Sequence, residues 1–319
     1  MNAVGWKRAG ISAVALAAVV GLAGCQGDGG KDGQGGKKAA GDAAPQKQDR
    51  AGAARTLKAA YKKTAEAKSA KVKMTMSMPA SVQGGGTVEM TGTLGWDPTV
   101  LDMTMKPTGA LKPKAGDKGP DQIRMIMRDN VMYMDLGAEA AASMDGKRWM
   151  KMDLSAAAKD GGAGAGALTG GMDNANQDPS RQIGMLLESP NLQHIGAENV
   201  GGVATQHYKG TLTVAEMLKT NKDADRQLTG KQREELLANM NKAGIKGYDT
   251  DVWVDDKGYP AKMVVGMDSA KGRVDISMTY SDYGTKASVE TPPADQTLDF
   301  MKKLKEEMSK GGSGASAGL

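Results

Sequence analysis

The spacing of hydrophobic positions changes along the chain, and the change separates helices from strands. From about 49 to 68, apolar and small residues recur every three or four positions, which predicts an amphipathic helix whose buried face carries Leu57, Ala60, Tyr61, Thr64 and Ala65. After Lys68 the spacing shortens to two. Apolar positions then alternate with polar ones, which predicts a strand with one buried face formed by Val72, Met74, Met76 and Met78.

The two-residue alternation returns in seven further segments: Val88-Met90, Leu101-Met103-Met105, Ile123-Met125-Met127, Met132-Met134, Met150-Met152, Met263-Val265-Met267 and Val274-Ile276-Met278. Turn-forming residues separate many of them, as at Gly84-Gly85-Gly86, Trp96-Asp97-Pro98, Arg128-Asp129-Asn130, Gly201-Gly202 and Asp255-Asp256-Lys257-Gly258. Successive segments are therefore hairpin partners. Together they predict one extended, strongly curved antiparallel sheet.

Further helices are predicted between and after the strands. Asp178-Pro179 begins a short helix with Ile183, Leu186 and Leu187, and two capping boxes, Thr213 with Glu216 and Thr229 with Gln232, begin two more. A last helix is expected from about 296 to 308. The strands are thus predicted in groups that are separated by helices. This arrangement indicates an α+β fold in which helices cover one face of the sheet.

The N-terminus carries the features of a lipoprotein signal peptide. Lys7 and Arg8 precede an apolar run from Ile11 to Leu22, broken only by Ser12, that is too short to span a bilayer. It ends at Leu22-Ala23-Gly24-Cys25, which contains the only cysteine. We expect a signal peptide over 1–24, cleavage between Gly24 and Cys25, and lipidation of the Cys25 thiol. An ordinary secretory signal with an incidental cysteine is the alternative.

These features predict the organisation of the whole chain. A flexible Gly/Lys-rich tether over 25–48 follows the signal, the folded domain covers 49–308, and 309–319 is a low-complexity tail. An Ala/Gly segment over 156–171, with a polar stretch to 178, is either a loop or a weak helix. The formal net charge of +5 falls to +3 without Lys7 and Arg8, and the charges are interleaved, so no nucleic-acid partner is indicated.

Methionine dominates the apolar positions, with 23 residues against one phenylalanine. Repeats of Met-x-Met could bind Cu(I) through soft thioethers. The alternation instead favours strand residues that face an interior, since Val, Ile and Leu share the same phase. Methionine is flexible and suits a cavity for variable apolar ligands, whereas a tight core favours Leu, Ile and Phe. The candidate cavity residues are Met74, Met76, Val88, Met90, Met103, Met105, Met125, Met127, Met134, Met150 and Met152.

Catalytic signatures are missing from the sequence. Only two histidines occur, His194 and His207, and the motifs of zinc proteases, serine hydrolases and P-loop proteins are absent. His207 lies in a predicted strand and is interpreted as structural, and the pair Asp255-Asp256 lies in a turn. We therefore expect neither an enzyme nor a protein with a metal or cofactor.

Three segments carry a family resemblance: Val200-Gly-Gly-Val-Ala-Thr-Gln-His-Tyr-Lys-Gly210, Val252-Trp-Val-Asp-Asp-Lys-Gly-Tyr-Pro260, and Tyr280-Ser-Asp-Tyr-Gly284 with Val289-Glu-Thr-Pro-Pro293. With the N-terminal signal, they resemble the actinobacterial LppX/LprAFG-type lipoproteins over about 50–300. The resemblance implies a LolA-like fold, a curved antiparallel half-barrel with helices on its concave face. It also implies an apolar cavity for acyl chains and a role in carrying acylated lipids or lipoglycans in the envelope.

The sequence thus predicts a non-catalytic lipid-binding lipoprotein on the extracytoplasmic face of the cell membrane. Its expected partners are the membrane, through the acyl anchor at Cys25, and an acylated lipid. It is expected to be a monomer, and no protein partner is indicated. Two alternatives stay open, a sensor or interaction lipoprotein with a solid core and a Met-rich copper-binding protein.

Overall fold

A computed structural model describes residues 48–82, 85–109, 112, 120–142, 144–154, 178–220 and 229–309 of the chain. Outside these residues lie the predicted signal peptide, Cys25 with its predicted acylation, nearly all of the predicted tether, the Ala/Gly segment, and the predicted C-terminal tail apart from Ser309. The predictions made for those segments remain predictions.

Twelve strands and six α-helices are present in the described part. The strands are β1 (Ser69–Met78), β2 (Gly86–Trp96), β3 (Thr99–Thr108), β4 (Ile123–Arg128), β5 (Val131–Asp135), β6 (Trp149–Asp153), β7 (Gln193–Val200), β8 (Val203–Thr213), β9 (Gly247–Asp255), β10 (Pro260–Ser269), β11 (Gly272–Ser281) and β12 (Thr297–Asp299). The helices are α1 (Arg50–Ala67), α2 (Gly137–Ala141), α3 (Pro179–Glu188), α4 (Val214–Thr220), α5 (Gly230–Lys242) and α6 (Phe300–Ser309).

All twelve strands form one open sheet in the order β12-β6-β5-β4-β3-β2-β1-β11-β10-β9-β8-β7. Neighbouring strands are antiparallel except for β12 and β6, which are parallel. Two meanders, β1 to β6 and β7 to β11, join where β1 pairs with β11. The predicted large antiparallel sheet with helices is confirmed.

Helix α1 follows the predicted apolar period with one exception. Asp49 caps it, since its carboxylate accepts the Gly52 amide at 2.7 Å. The buried face consists of Ala53, Leu57, Ala60 and Thr64. Tyr61 was predicted on this face, which is wrong: it is 42% exposed. Its ring instead lies over α3, so that a Cβ added to Gly184 would be 3.4 Å from it.

The capping boxes have the predicted geometry. The Thr213 amide donates to the Glu216 carboxylate at 2.8 Å, and the Thr229 amide donates to the Gln232 side chain at 2.9 Å. The last helix begins later than predicted, at Phe300. The preceding residues pair instead with β6 as strand β12. The sequence analysis did not predict β12 or α2.

The main core lies between α1, α3 and the middle of the sheet. Leu57 of α1 and Ile183 of α3 are fully buried. They belong to one cluster with strand residues that include Val72, Met263 and Met278. Gly210 of β8 permits this packing, because a Cβ there would lie 2.7 Å from Leu186 and 2.6 Å from the Ser189 hydroxyl of the α3 C-cap.

A second, smaller cluster lies on the opposite face of the sheet. Val100, Ile126 and Trp149 are buried there with Val289, from the segment that links β11 to β12. The Arg128 guanidinium donates to the Val289 carbonyl at 3.3 Å. This segment carries the chain from β11 to the far edge of the sheet, where β12 pairs.

Aromatic residues of two of the resemblance motifs meet at the end of α1. Tyr259 and Tyr283 stack with centroids 4.4 Å apart, and the Tyr283 hydroxyl donates to the Pro260 carbonyl at 2.8 Å. The Trp96 ring approaches Tyr283 edge-on at 6.4 Å, and Lys63 of α1 lies 4.7 Å from the Tyr259 centroid. These motif residues therefore fix the helix against the sheet.

Candidate functional site

The strand register places all eleven candidate cavity residues on one face of the sheet. Residues directly opposite each other in paired strands point to the same side. Each of the eleven is linked to the others through such pairs, for example Val88 with Met76 and Met152 with Met132. This is the side on which α1 and α3 pack, and we call it the methionine face.

Five methionines form an unbroken row across the middle of this face. They are directly paired in the order Met105, Met90, Met74, Met278 and Met263, one on each of β3, β2, β1, β11 and β10. We call these five residues the central row. Met263 and Met278 lay in predicted strands but were not among the eleven candidates. Their positions in the two-residue alternation could have identified them as members of the same face.

A second row of four methionines covers the other half of the sheet. Met150, Met134, Met125 and Met103 are directly paired across β6, β5, β4 and β3. Met103 is paired in turn with Gly92 of β2. A Cβ added to Gly92 would collide with the Asp102 carbonyl and the Met103 backbone, so the row of side chains ends there. The two rows together extend over eight adjacent strands, about 34 Å at a strand spacing of about 4.8 Å.

Burial divides the methionine face into covered and partly open regions. Met103 and Met127 are 2% and 5% exposed, and the other nine candidates are half-buried. Met74 and Met90 pack against the main core, whereas no candidate from β4 to β6 belongs to either buried cluster. The face is therefore solidly packed beneath α1 and α3 and partly open beyond them.

The methionine face also includes Met267 and Tyr248, which are paired near the strand ends that carry helices α4 and α5. These helices connect the end of β8 to the start of β9. Tyr248 of β9 is half-buried beside Met267, its partner on β10, and burial raises the pKa of the Tyr248 hydroxyl. No described side chain of α5 is fully buried, although Leu236 and Leu237 are half-buried. This end combines apolar surface with a neutral phenol that can donate a hydrogen bond.

A separate cleft of about 740 Å³ lies between α1 and α3. Leu187, Leu192 and Tyr61 contribute its apolar lining, and Lys58 and Glu188 contribute charge. None of the eleven candidates lines it, so it is distinct from the methionine face.

The outer face carries an ionic cluster around His207, whose ring is buried while its partner Glu198 is exposed. Its Nδ1 lies 2.8 Å from the Glu198 carboxylate and its Nε2 lies 2.7 Å from the Asp251 carboxylate. Carboxylates only accept hydrogen bonds, so both ring nitrogens donate when the imidazole is protonated. The ring stacks on Trp253 at 4.2 Å, and the Trp253 indole donates to Glu198 at 2.6 Å.

These contacts shift three pKa values in this cluster. Burial lowers the pKa of His207, but the hydrogen bonds to Asp251 and Glu198 outweigh it and hold the pKa above its ordinary value. Hydrogen bonds from Trp253 and His207 lower the pKa of Glu198. Burial opposes ionisation of Asp251, yet the His207 hydrogen bond and the charge of Lys209 hold its pKa below the usual range. Glu198, His207 and Asp251 lie on β7, β8 and β9, so the cluster links three adjacent strands.

His194 connects the start of the folded domain to the edge of the sheet. Its Nδ1 accepts the Gln48 amide at 2.8 Å, and its Nε2 lies 2.7 Å from the Gln206 side-chain oxygen. The ring also packs against Tyr208, with centroids 5.1 Å apart. The last residue of the predicted tether, Gln48, is thus held at β7.

Within the described ranges, no cluster of three His, Cys, Asp or Glu side chains is arranged to hold a metal ion. In the same ranges, no helix combines the length and apolar content that a membrane span requires.

Comparison with known proteins gives two related chains from Streptomyces. An uncharacterised 31.2 kDa protein encoded between rplA and rplJ in Streptomyces griseus is 31% identical over 256 residues, 78% of this chain and 80% of that one. A Streptomyces coelicolor protein with the provisional name of a lipoprotein is 27% identical over 259 residues, 79% of this chain and 77% of that one. No family model matches the chain.

Among solved structures, the chain resembles lipoprotein LppX of Mycobacterium tuberculosis, with 14% identity, a TM-score of 0.41, and coverage of 76% of this chain and 100% of the other. Because the 31% identity extends over most of both sequences, this chain belongs to the same protein family as the Streptomyces griseus protein.

Proposed function

We propose that this protein is a membrane-anchored, extracytoplasmic lipoprotein that binds the acyl chains of a lipid along its methionine face. The observation that carries the proposal is the open region of that face, where directly paired methionines stay half-buried outside both packed clusters. Surfaces of this kind adapt to apolar partners of variable shape, since methionine has three rotatable bonds and a polarisable sulfur.

The dimensions of the face suit such a ligand. One leaflet of a bilayer has about 15 Å of hydrocarbon, half of a core about 30 Å thick. The half-buried candidate methionines of the face lie on the six adjacent strands from β6 to β1, about 24 Å of sheet, which is longer than the acyl chain of one leaflet. The Tyr248 hydroxyl, near the β9 end of the methionine face, would hydrogen-bond to polar groups of the lipid.

Anchoring rests on the predicted acylation of Cys25 and on the provisional lipoprotein name of the Streptomyces coelicolor relative. Two acyl chains hold a protein firmly on a membrane, because each buried methylene contributes about 0.8 kcal/mol. Transport of lipid within the envelope is the activity that such a binding protein would serve.

The test is to purify the Cys25→Ala chain from its native host without detergent and to record native mass spectra. We expect adducts that release acyl lipids on extraction. Met125→Trp, at a half-buried position, should displace the lipid at little cost in stability. The matched variant Met103→Trp, at a site 2% exposed, should overpack the core and cost about 1–3 kcal/mol.

Absence of lipid from the unmutated face, together with equal destabilisation by the two tryptophan variants, would contradict the proposal. That result would favour the interaction lipoprotein with a solid core.

A further inference from the structure

The central row contains an internal contrast in exposure. Met74, Met90 and Met105 are half-buried, whereas Met263 and Met278 are 0% and 1% exposed. All five carry the same thioether on the same face. The Met278 sulfur also accepts a hydrogen bond from the buried Tyr280 hydroxyl at 3.2 Å, which occupies one of its lone pairs.

Thioether sulfur is the most abundant oxidisable group in this chain, with 23 methionines against a single cysteine. A sulfur lone pair attacks one oxygen of hydrogen peroxide, the S–O bond forms as the O–O bond breaks, and water leaves. The sulfur is oxidised by two electrons and the peroxide is reduced. The product, methionine sulfoxide, is polar, and reductases return it to the thioether.

Access determines which sulfurs react. Peroxide can approach a partly exposed methionine in the folded protein. A fully buried methionine reacts only when the surrounding structure opens, and opening costs free energy. The sheet therefore separates two classes of methionine that the sequence does not distinguish.

We propose that the half-buried members of the methionine face are a site of reversible oxidation by peroxides, and that their conversion to sulfoxides releases the apolar ligand. The second part rests on the proposed lipid binding, since a polar S=O group placed against an acyl chain has no hydrogen-bond donor there. The first part rests only on exposure and chemistry.

The experiment treats the folded Cys25→Ala chain with hydrogen peroxide and maps sulfoxides by peptide mass spectrometry over time. Met74, Met90 and Met105 should oxidise at least about tenfold faster than Met263 and Met278. The triple variant Met74→Leu, Met90→Leu, Met105→Leu preserves apolar volume and should take up three fewer oxygens, with the buried peptides unchanged. Equal rates within the central row would overturn the oxidation site.

Ligand release is measured with a fluorescent fatty acid as the probe. Oxidation of the half-buried set should weaken probe binding about tenfold or more. Treatment with methionine sulfoxide reductases should restore it, which separates sulfoxide formation from damage to Trp and Tyr. Unchanged affinity after full oxidation of that set would overturn the coupling. If the untreated protein does not bind the probe, the proposed lipid binding fails, while the peptide map still decides the oxidation site.

Discussion

Replacement of His207 by glutamine should change how the stability of the protein depends on pH. Glutamine has a similar length and can hydrogen-bond to a carboxylate, but it does not ionise. In the native cluster a protonated imidazole donates to Glu198 and Asp251 at 2.8 and 2.7 Å. Hydrogen bonds to charged groups contribute about 1.5–3 kcal/mol each. Two effects reduce this value here: solvent screens Glu198, whose side chain is 43% exposed, and burial of the ring charge costs free energy.

The pH dependence of stability follows from the direction of each pKa shift. The pKa of His207 is raised in the folded state, so its contribution is fully present below its unfolded value, about 6.5, and is lost as pH rises through the folded pKa. The pKa values of Glu198 and Asp251 are lowered, so their contribution is present above about pH 4 and is lost as pH falls through their folded values. The cluster should therefore stabilise the fold most between about pH 4.5 and 6.5.

The assay is urea unfolding of the wild type and His207→Gln at about pH 5.5 and about pH 8.5, at constant ionic strength. The pKa of His207 is raised in the folded state, so the stability difference between the two proteins should be larger at the lower pH, where the imidazole is protonated. Parallel profiles, with the same difference at both pH values, would refute the assignment of an imidazolium held between two carboxylates.

Three other outcomes are expected. Gly210→Ala should lower the free energy of unfolding by about 1–3 kcal/mol in thermal or urea unfolding, because its Cβ would meet Leu186 at 2.7 Å. Gly230→Ala is the control and should be nearly neutral, since an added Cβ there meets no side chain within 4 Å. Equal effects of the two variants would contradict the packing argument. Cys25→Ala should move the protein from the membrane fraction to the soluble fraction, and retention on membranes after a high-salt wash would disprove the anchor. Cu(I) should bind weakly and without fixed stoichiometry, since the thioethers lie in rows and do not surround a point; one tight site in a chelator competition assay would reverse this.

Local structure, namely the faces of the strands and the caps of the helices, could be predicted from the sequence. The period of two in the methionine segments determines which side of a strand each side chain occupies, and the register confirms that these segments share one face. Capping boxes such as Thr229 with Gln232 act within four residues, so their hydrogen bonds were predictable as well.

Only the tertiary structure decided what covers each face. Met103 and Met125 have the same phase and are directly paired, yet one is buried and the other half-buried. Tyr61 had the spacing of a buried helix residue but is exposed beside α3. Periodicity describes the direction of a side chain relative to its own strand or helix, whereas burial depends on what packs above it, and those neighbours come from distant parts of the chain.

The same reason explains the contacts that the sequence could not show. His207 meets Asp251, 44 residues away, through the pairing of β8 with β9. Strand β12 is three residues long and pairs with β6 only because the preceding segment crosses the outer face of the sheet. The sequence by itself determined the methionine-rich strands, the helix caps and the apolar phase, whereas tertiary packing decided where β12 forms and which methionines stay accessible.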